Sequence, residues 1–362
     1  MSIATVDRVD AIVIGAGISG LAAATELAKA GCRTIVLEKS RGIGGRMATR
    51  RVGAAVCDHG AQFFTVRTRA FGATVEEAHT AGAVRTWCDG FSRQADAAAA
   101  IEPAGDGHAR WCGTRGMTDL PKRLAAALPG DLVEIHSGVR AAAVEIVDGG
   151  LRVTLETKEG EAPRVLGSRG LVLSCPVPQS LDLFAAGAAF GALEGAAVET
   201  LRGVDYDPCF ALMLVLDRPS QVPPPGGIQL ASGPLVWVGD NLQKGISTVP
   251  ALTIHASGDF SRDAFDADPA KVTAELEALA AQWIGGATVL ERSLQRWKFA
   301  QPRAIVPAPF VSPLAAPPIA CCGDAFKGPR VEGAACSGQA AGRWMGRLLA
   351  APANARSSGG GA

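Results

Sequence analysis

The stretch "VDAIVIGAGISGLAAATELAKAG", residues 9–31, decides the fold of the first part of the chain. A short apolar run rich in β-branched residues is followed by a glycine-rich turn and then by a segment with the composition of a helix. A second apolar run, "RTIVLE", ends at Glu38. This order predicts a βαβ unit with an acidic residue at the end of its second strand.

The glycines of the turn match the spacing G-x-G-x-x-G of dinucleotide-binding turns. Gly15 permits the tight turn, Gly17 lets the backbone approach a pyrophosphate, and Gly20 lets the helix pack closely on the strand. The helix N-terminus offers free N–H groups and a partial positive charge to a phosphate, and Glu38 is placed to accept hydrogen bonds from ribose hydroxyls. The predicted dinucleotide contacts are Gly15, Ala16, Gly17, Ile18, Ser19, Gly20 and Glu38.

Composition and charge favour a globular protein that acts on small molecules. The chain has 362 residues, 48% of them hydrophobic, which suffices for two domains or for one with an insertion. Its net charge is zero, so it lacks the basic footprint of a nucleic-acid-binding protein. No apolar run approaches the roughly 20 residues of a membrane span, and charged residues interrupt the N-terminus where a signal peptide is apolar. We therefore expect a cytoplasmic protein with no membrane span and no nucleic-acid partner.

The nine cysteines and five histidines show no metal-ligand spacing. The motif C-x-x-C is absent, and Cys321 and Cys322 are adjacent. We expect reduced, mostly buried thiols and no metal site.

A second glycine-rich turn, "KSRGIGGRM", residues 39–47, comes directly after Glu38. It resembles the segment after the second strand in flavoproteins of the flavin amine oxidase superfamily, where the glycines and the arginine approach the FAD pyrophosphate. An arginine, whose charge does not titrate, suits a buried diphosphate. The resemblance implies FAD contacts at Lys39, Arg41, Gly44, Gly45, Arg46 and Met47.

A later stretch, "PIACCGDAF", residues 318–326, is an apolar strand that ends in Gly-Asp. Similar flavoproteins place such an aspartate against the ribitol and phosphate of FAD and give main-chain contacts to adenine at the position of Val139. A helix that opens after Gly333 is expected to turn its N-terminus towards the flavin. The resemblance thus adds Val139, Gly323, Asp324, Val331, Glu332, Gly333 and Ala334 to the FAD contacts. We expect FAD to be bound non-covalently, because the surroundings of Cys336 differ from those of the attachment cysteine in some amine oxidases.

The block "CDHGAQFFTVR", residues 57–67, has a more specific resemblance, to renalase-like flavoproteins. Three further blocks look alike: residues 110–125, 296–302 and 323–338. Gly60 and Ala61 let the backbone lie along a planar ring and Gln62 can bond its edge, while a phenylalanine walls it off from water. Strand alternation lets only one phenylalanine face inward, and we predict Phe64. The predicted catalytic residues are Gln62, Phe64 and Trp297, and the predicted cofactor contacts here are Gly60, Ala61, Gln62 and Phe63.

The polar residues of this block do not form a catalytic pair. Asp58 and His59 are adjacent, so on a strand they point to opposite faces. We expect Asp58 to fix a turn and His59 to be hydrogen-bonded or solvated. Arg67 and Arg69 either recognise an anionic substrate or lie on the surface.

The renalase resemblance implies an enzyme, a FAD-dependent oxidase. Renalases pass a hydride from isomeric, mis-reduced NAD(P)H to the flavin, which O2 reoxidises to give H2O2. The chain departs from that family at Phe63 and Phe299, where tyrosine is usual, and it contains only one tyrosine, Tyr206. Three alternatives stay open: an amine oxidase with Lys298 near the flavin, a lipid desaturase or isomerase of the same superfamily, and a non-enzymatic FAD-binding regulator.

The expected fold class is α/β, with a Rossmann-type FAD-binding domain and an inserted mixed α+β substrate domain, as in amine oxidases and p-hydroxybenzoate hydroxylase. The FAD-binding domain is expected over residues 1–75, 131–180 and 296–351. The substrate domain is expected over 76–130 and 181–295, with a disordered tail at 352–362.

Overall fold

The computed structural model describes residues 8–96, 98–102, 105–157 and 164–350, so the tail predicted at 352–362 lies outside the described residues. The strands are β1 (Arg8–Ile14), β2 (Thr34–Glu38), β3 (Thr49–Val52), β4 (Ala55–Asp58), β5 (Val84–Cys88), β6 (Ser92–Gln94), β7 (Arg110–Gly113), β8 (Val133–Ser137), β9 (Ala141–Val147), β10 (Gly150–Leu155), β11 (Arg164–Leu173), β12 (Tyr206–Leu216), β13 (Gly227–Leu230), β14 (Leu235–Asp240), β15 (Ala251–Ala256), β16 (Val289–Pro302), β17 (Val311–Ala315) and β18 (Pro318–Cys321). The helices are α1 (Ile18–Lys29), α2 (Arg69–Thr80), α3 (Asp119–Ala126), α4 (Val177–Ala186), α5 (Gly195–Arg202), α6 (Gly258–Asp263), α7 (Pro269–Leu279), α8 (Ala281–Ile284) and α9 (Val331–Ala350).

The chain divides into two compact units, each built from separated stretches of sequence. The first unit comprises the described residues of Met1–Gly45, Leu124–Asp205 and Ala304–Ala362. The second comprises those of Arg46–Arg123 and Tyr206–Arg303. No helix among the described residues is long and apolar enough to cross a membrane.

The first unit contains the predicted parallel sheet, in the order β17-β18-β11-β1-β2-β8. Strands β18, β11, β1, β2 and β8 are parallel, and β10 joins the β9–β10 hairpin to the sheet in antiparallel orientation. Because the parallel strands share one direction, the carboxyl ends of β1, β2, β11 and β18 meet at one edge of the sheet. Ligands of open α/β sheets bind at this edge.

Helices α1 and α9 pack side by side on this sheet through glycines of α9. A Cβ on Gly338 would lie 1.9 Å from the carbonyl oxygen of Ser19, and one on Gly342 would lie 2.5 Å from that of Ala23. Both contacts advance in the same direction along the two helices, so the helices run parallel. Across this contact the Arg343 guanidinium donates to the Glu26 carboxylate at 2.7 Å.

Replacing Gly338 with alanine is therefore expected to destabilise the first unit. Alanine is the better helix former by up to about 1 kcal/mol, but its Cβ would force α1 and α9 apart, and overpacking of this kind costs about 1–3 kcal/mol. Urea unfolding followed by far-UV circular dichroism measures the change. The control is Gly195→Ala in α5, where the added Cβ meets nothing within 4 Å. A Gly338→Ala protein as stable as the control variant would contradict the close packing.

The second unit is built on a six-stranded, mostly antiparallel sheet in the order β16-β12-β15-β14-β13-β6. One face packs on α7 and α8, with Leu212, Ile254 and Trp283 in its core. We call the opposite face of this sheet the open face. The β3–β4 hairpin lies against it through the apolar residues Val52, Ala55, Cys57, Met213, Val215 and Ala251.

The unit boundaries differ from the expected domain boundaries in four places, at residues 46–75, 124–130, 181–205 and 296–303. Residues 46–75 and 296–303 lie in the second unit, because β3 and β4 pack against β15 and β16. Residues 181–205 stay in the first unit, because α4 packs on β9 and α5 on β17. The last helix begins at Val331, not after Gly333, and the Ala334 N–H donates to the Arg330 carbonyl.

Candidate functional site

The first unit places the predicted glycine turn at the carboxyl end of β1. Gly15 has a φ of +105°, which residues with a side chain rarely adopt. A Cβ on Gly20 would lie 1.9 Å from the Gly15 carbonyl oxygen. The turn and its contact with the helix therefore require glycine at both positions.

Gly17 differs from these two glycines, because a Cβ there would meet nothing within 4 Å. Gly17 is the N-cap of α1 in an extended conformation, and no side chain caps the first turn of the helix. A helix that starts in this way has N–H groups free to bind an anion and a partial positive charge. The space beside Gly17 and the uncapped helix start fit a diphosphate.

The carboxylate of Glu38 joins the two glycine-rich turns. Its Oε2 accepts the N–H of Ala16 at 2.9 Å, and its Oε1 accepts the N–H of Ser40 at 2.8 Å. The side chain is buried. Each carboxylate oxygen has a further lone pair, which a ribose hydroxyl would use.

The second turn is held against the first by its backbone. The Gly44 N–H donates to the Ala16 carbonyl at 2.9 Å. The charged side chains Lys39 and Arg41 of this turn are exposed, and the Lys39 ammonium donates to Gln179 Oε1 at 3.2 Å. Backbone, more than charge, shapes this part of the site.

The remaining predicted contacts of the first unit lie at the ends of strands β8 and β18. The Val139 N–H already donates to the Glu38 carbonyl at 2.9 Å, which leaves its carbonyl for an adenine. The Gly323 N–H donates to Ser337 Oγ at 2.9 Å, and Asp324 beside it is half-buried. The first turn of α9 contains Val331, Glu332, Gly333 and Ala334.

In the second unit, Asp58 forms a buried ion pair with Lys244, a residue that the sequence analysis missed. Lys244 Nζ lies 2.6 Å from Asp58 Oδ2, and both side chains are fully buried. The other carboxylate oxygen accepts the hydroxyl of Thr49 at 2.5 Å and the N–H of Met117 at 2.8 Å. Asp58 therefore fixes the turn, as expected, and its carboxylate is fully engaged.

The Nδ1 atom of His59 is not hydrogen-bonded within the described part of the chain, while the expectation of a hydrogen-bonded or solvated ring stays open for Nε2. The Nδ1 atom is buried. The ring stacks on Trp297 with centroids 5.2 Å apart. Burial, and then the charge of Arg50, lower the pKa of His59 to about 4, so the ring is neutral at pH 7.

His255, on the open face of the sheet, is a second imidazole that the sequence analysis did not single out, and its side chain is half-buried. Its Nε2 has no hydrogen-bond partner among the described residues. Burial, and then the charges of His59 and Lys244, lower the pKa of His255 to about 4. Side chains alternate along β15, so His255 lies on the face opposite to that packed on α7 and α8. The alternation is visible in the sequence "ALTIHAS" once this segment is assigned as a strand.

The predicted catalytic residues have different surroundings. Gln62 is buried, and its Nε2 donates to the carbonyls of Asp58 at 2.7 Å and Gly60 at 3.1 Å. Trp297 is half-buried and donates from Nε1 to the His59 carbonyl at 2.8 Å. Both side chains hold the backbone of the 58–62 turn.

The two phenylalanines have different surroundings, and Phe64 is the one that faces inward. Phe64 is a core residue, 3% exposed, and its ring packs edge-on against Phe71 of α2. Its backbone pairs with Trp111, which turns the side chain towards α2. Phe63 packs instead against two aromatic rings on the open face, with centroid distances of 4.8 Å to Phe91 and 5.8 Å to Trp237.

Arg46 begins the second unit, and its carbonyl is covered by the 58–62 turn. The Ala61 N–H donates to the Arg46 carbonyl at 2.8 Å, and a Cβ on Gly60 would lie 2.0 Å from the same oxygen. The Arg46 guanidinium donates to the Ala300 carbonyl at 3.2 Å. Met47, which follows, is buried. Three predicted FAD contacts, Arg46, Gly60 and Ala61, thus lie on two backbone segments that contact each other.

The other charged candidates lie on the surface. Arg67, Arg69 and Lys298 are exposed. Among the described residues no group of histidine, cysteine and acidic side chains is arranged to hold a metal ion. All nine cysteines are free thiols.

Comparisons with known proteins agree with this geometry. A family model described as an NAD(P)-binding Rossmann-like domain matches residues 13–76. A solved structure from Exiguobacterium sp. 255-15, named as a protoporphyrinogen oxidase, is 12% identical with a TM-score of 0.68, covering 94% of this chain and 98% of that one. Cyclohexylamine oxidase from Brevibacterium oxydans IH-35A is 15% identical with a TM-score of 0.67, covering 94% and 99%. Putrescine oxidase bound to putrescine is 15% identical with a TM-score of 0.63, covering 92% and 98%.

At these identities the likeness concerns the fold. The chain has a Rossmann-like dinucleotide-binding fold with mixed α and β sheets, and it shares the architecture of these oxidases. The expected fold class is confirmed.

Proposed function

We propose that the protein is a FAD-dependent oxidase of the renalase type. It takes a hydride from isomeric (2- or 6-) dihydro-NAD(P). One dihydro-NAD(P), one O2 and one proton give NAD(P)+ and H2O2. The FAD, held non-covalently, supplies the hydride acceptor and the site of reoxidation by O2.

The glycine turn of the first unit supports the dinucleotide cofactor. Gly17 leaves space where a side chain would stand, α1 starts without a side-chain cap, and the Glu38 carboxylate lies between the two turns. These are the features that a diphosphate and a ribose require.

One observation supports hydride transfer in particular: the only carboxylate of the 57–67 block, Asp58, is engaged by Lys244, Thr49 and Met117. Hydride transfer between two rings needs positioning and exclusion of water, and no base. His59 and His255, with pKa values of about 4, are weak bases. In this proposal Gln62 and Trp297 fix the turn beside the reacting ring, and Phe63 excludes water there.

Oxidation of an amine is the second candidate. It is supported by the shared fold with cyclohexylamine and putrescine oxidases and by the aromatic residues Phe63, Phe91 and Trp237, whose ring faces attract cations. The chain has only one tyrosine, Tyr206, which disfavours the aromatic cage that amine oxidases use. We therefore place this candidate second.

Anaerobic stopped-flow mixing tests the proposal. The FAD-loaded protein is mixed with borohydride-reduced NAD, which contains several dihydro isomers, and in parallel with cyclohexylamine and putrescine. Rapid bleaching of the flavin by a minor isomer, and no response to either amine, is the expected result. Bleaching by an amine alone would support amine oxidation, the second candidate. No bleaching by any dihydronicotinamide or amine would favour a non-enzymatic FAD-binding protein.

A further inference from the structure

We propose that Lys244 is a positioning residue that holds the 58–62 turn, and through it the backbone of Arg46, in one conformation. The inference rests on the proposed function, in which this piece of backbone contacts the flavin. Lys244 itself touches neither cofactor nor substrate in this proposal.

The bonding of Lys244 is complete and directed at the turn. Its Nζ lies 2.6 Å from Asp58 Oδ2 at the start of the turn and 2.6 Å from the Gln62 carbonyl oxygen at its end. The ammonium also lies 4.8 Å from the ring centroid of Trp87, a cation–π distance. One side chain thus joins both ends of the turn.

Hydrogen bonds from the Gln62 side chain and to Asn241 also hold the turn. Gln62 Nε2 donates to the carbonyls of Asp58 and Gly60, and the N–H of Asp58 faces Asn241 Oδ1 at 3.4 Å. Lys244 and Asn241 both belong to the segment between β14 and β15. The segment therefore contacts the turn at the backbone of Asp58, at its carboxylate and at the Gln62 carbonyl.

The 58–62 turn also contacts the backbone of Arg46, near the end of the second glycine-rich turn. The Ala61 N–H donates a hydrogen bond to the Arg46 carbonyl. The backbone of Gly60 lies so close to the same carbonyl that a side chain would not fit there. A shift of the turn would move this carbonyl or break the bond to it. Lys244 thus acts on Arg46 through Gln62 and Ala61.

Stability alone does not explain a buried ion pair at this position. Burying two charges costs several kcal/mol per ion, and a well-packed apolar pair is often as stable or more stable. An apolar pair would leave the Gln62 carbonyl without its donor. The specific effect of the ammonium is therefore on the geometry of the turn.

The test compares the wild type with the double variant Asp58→Asn/Lys244→Met, which removes both charges and keeps an acceptor for Thr49 and Met117. The matched control is Glu277→Gln/Arg292→Met, which removes the ion pair between α7 and β16 on the other side of the sheet. For all three proteins, thermal unfolding and the hydrogen exchange of residues 57–67 are measured without FAD. With FAD bound, the visible circular dichroism of the flavin and the rate of its reduction by borohydride-reduced NAD are measured.

The double variant is expected to exchange its 57–67 amides about tenfold faster, equivalent to about 1.4 kcal/mol of local opening free energy. With FAD, its flavin dichroism is expected to change and its limiting reduction rate to fall about 10- to 100-fold, because misplacement of about 1 Å is sufficient for such a loss. The control variant is expected to match the wild type in all of these except the unfolding temperature.

Exchange at 57–67 unchanged from the wild type would overturn the positioning role, and so would equal changes in both variants that follow their unfolding temperatures. Faster exchange with unaltered dichroism and reduction rate would overturn the link to the flavin. A wild type that binds no FAD would contradict the proposed function, while the exchange measurement would still decide whether Lys244 holds the turn.

Discussion

Gly17→Val is expected to weaken FAD binding about 100-fold while leaving the fold intact. The extended backbone of Gly17, with φ of −76° and ψ of 177°, accepts valine, and no atom lies within 4 Å of its added Cβ. The new side chain would occupy the space that the pyrophosphate needs. Losing one or two hydrogen bonds between backbone N–H groups and a charged phosphate costs about 3 kcal/mol, which lowers the affinity by about 100-fold.

A fluorescence titration of the FAD-free protein with FAD measures this affinity, and thermal unfolding without FAD measures the stability. The control is Gly130→Val, at an exposed position where the Cβ also meets nothing within 4 Å. Wild-type FAD affinity in Gly17→Val would show that the helix start of α1 is not the diphosphate site. An unfolded Gly17→Val protein would contradict the open surroundings of this residue.

Acidification from pH 6.5 to pH 4 is expected to destabilise the second unit through His59 and His255. Both rings have pKa values of about 4 in the folded protein, whereas a histidine in an unfolded chain takes up its proton near pH 6.5. The unfolded state therefore binds more protons in this window, and the free energy of unfolding decreases as the pH falls. The full loss approaches about 3 kcal/mol per ring.

The charges near these two rings also lower their pKa values. Arg50 lies beside His59, and Lys244 and His59 lie beside His255, so each added proton meets positive charge. The carboxyls of Asp106 and Asp217, with pKa values lowered to about 2 by hydrogen bonds from Arg110 and Arg218, titrate below this window.

Urea unfolding at half-unit pH steps measures the slope. His59→Phe keeps a ring on Trp297 and removes the titrating group, so the slope between pH 6.5 and 4 should fall by up to one proton. His108→Gln, at an exposed histidine, serves as the control for the substitution itself. Equal slopes in His59→Phe and the wild type would contradict the unpaired, neutral state of His59.

Local patterns in the sequence predicted the dinucleotide turn. Gly15, Gly17, Gly20 and Glu38 act within one βαβ unit, so spacing alone brings them together. The resemblance of the second turn and of the 57–67 block located the remaining candidates. Whether those residues bind FAD stays a prediction.

Contacts between distant segments could not be predicted in the same way. Lys244 is 186 positions from Asp58, in a loop with no periodicity, so the sequence contains no signal that joins them. Alternation predicted that Phe64 faces inward, but the groups that surround its ring, Phe71 of α2 and the strand of Trp111, are distant in sequence and could not be predicted. The glycines of α9 recur every fourth residue at 338, 342 and 346, a visible pattern whose partner helix could not be identified from spacing.

The pairing of α1 with α9 has a consequence for biosynthesis. More than 300 residues separate these helices in the chain, and a ribosome adding about 5–20 residues per second needs roughly 15–60 s to make that length. During this interval the nascent helix α1 lacks the neighbour that covers one of its faces. Maturation of the nucleotide-binding half is therefore a post-translational or very late co-translational event.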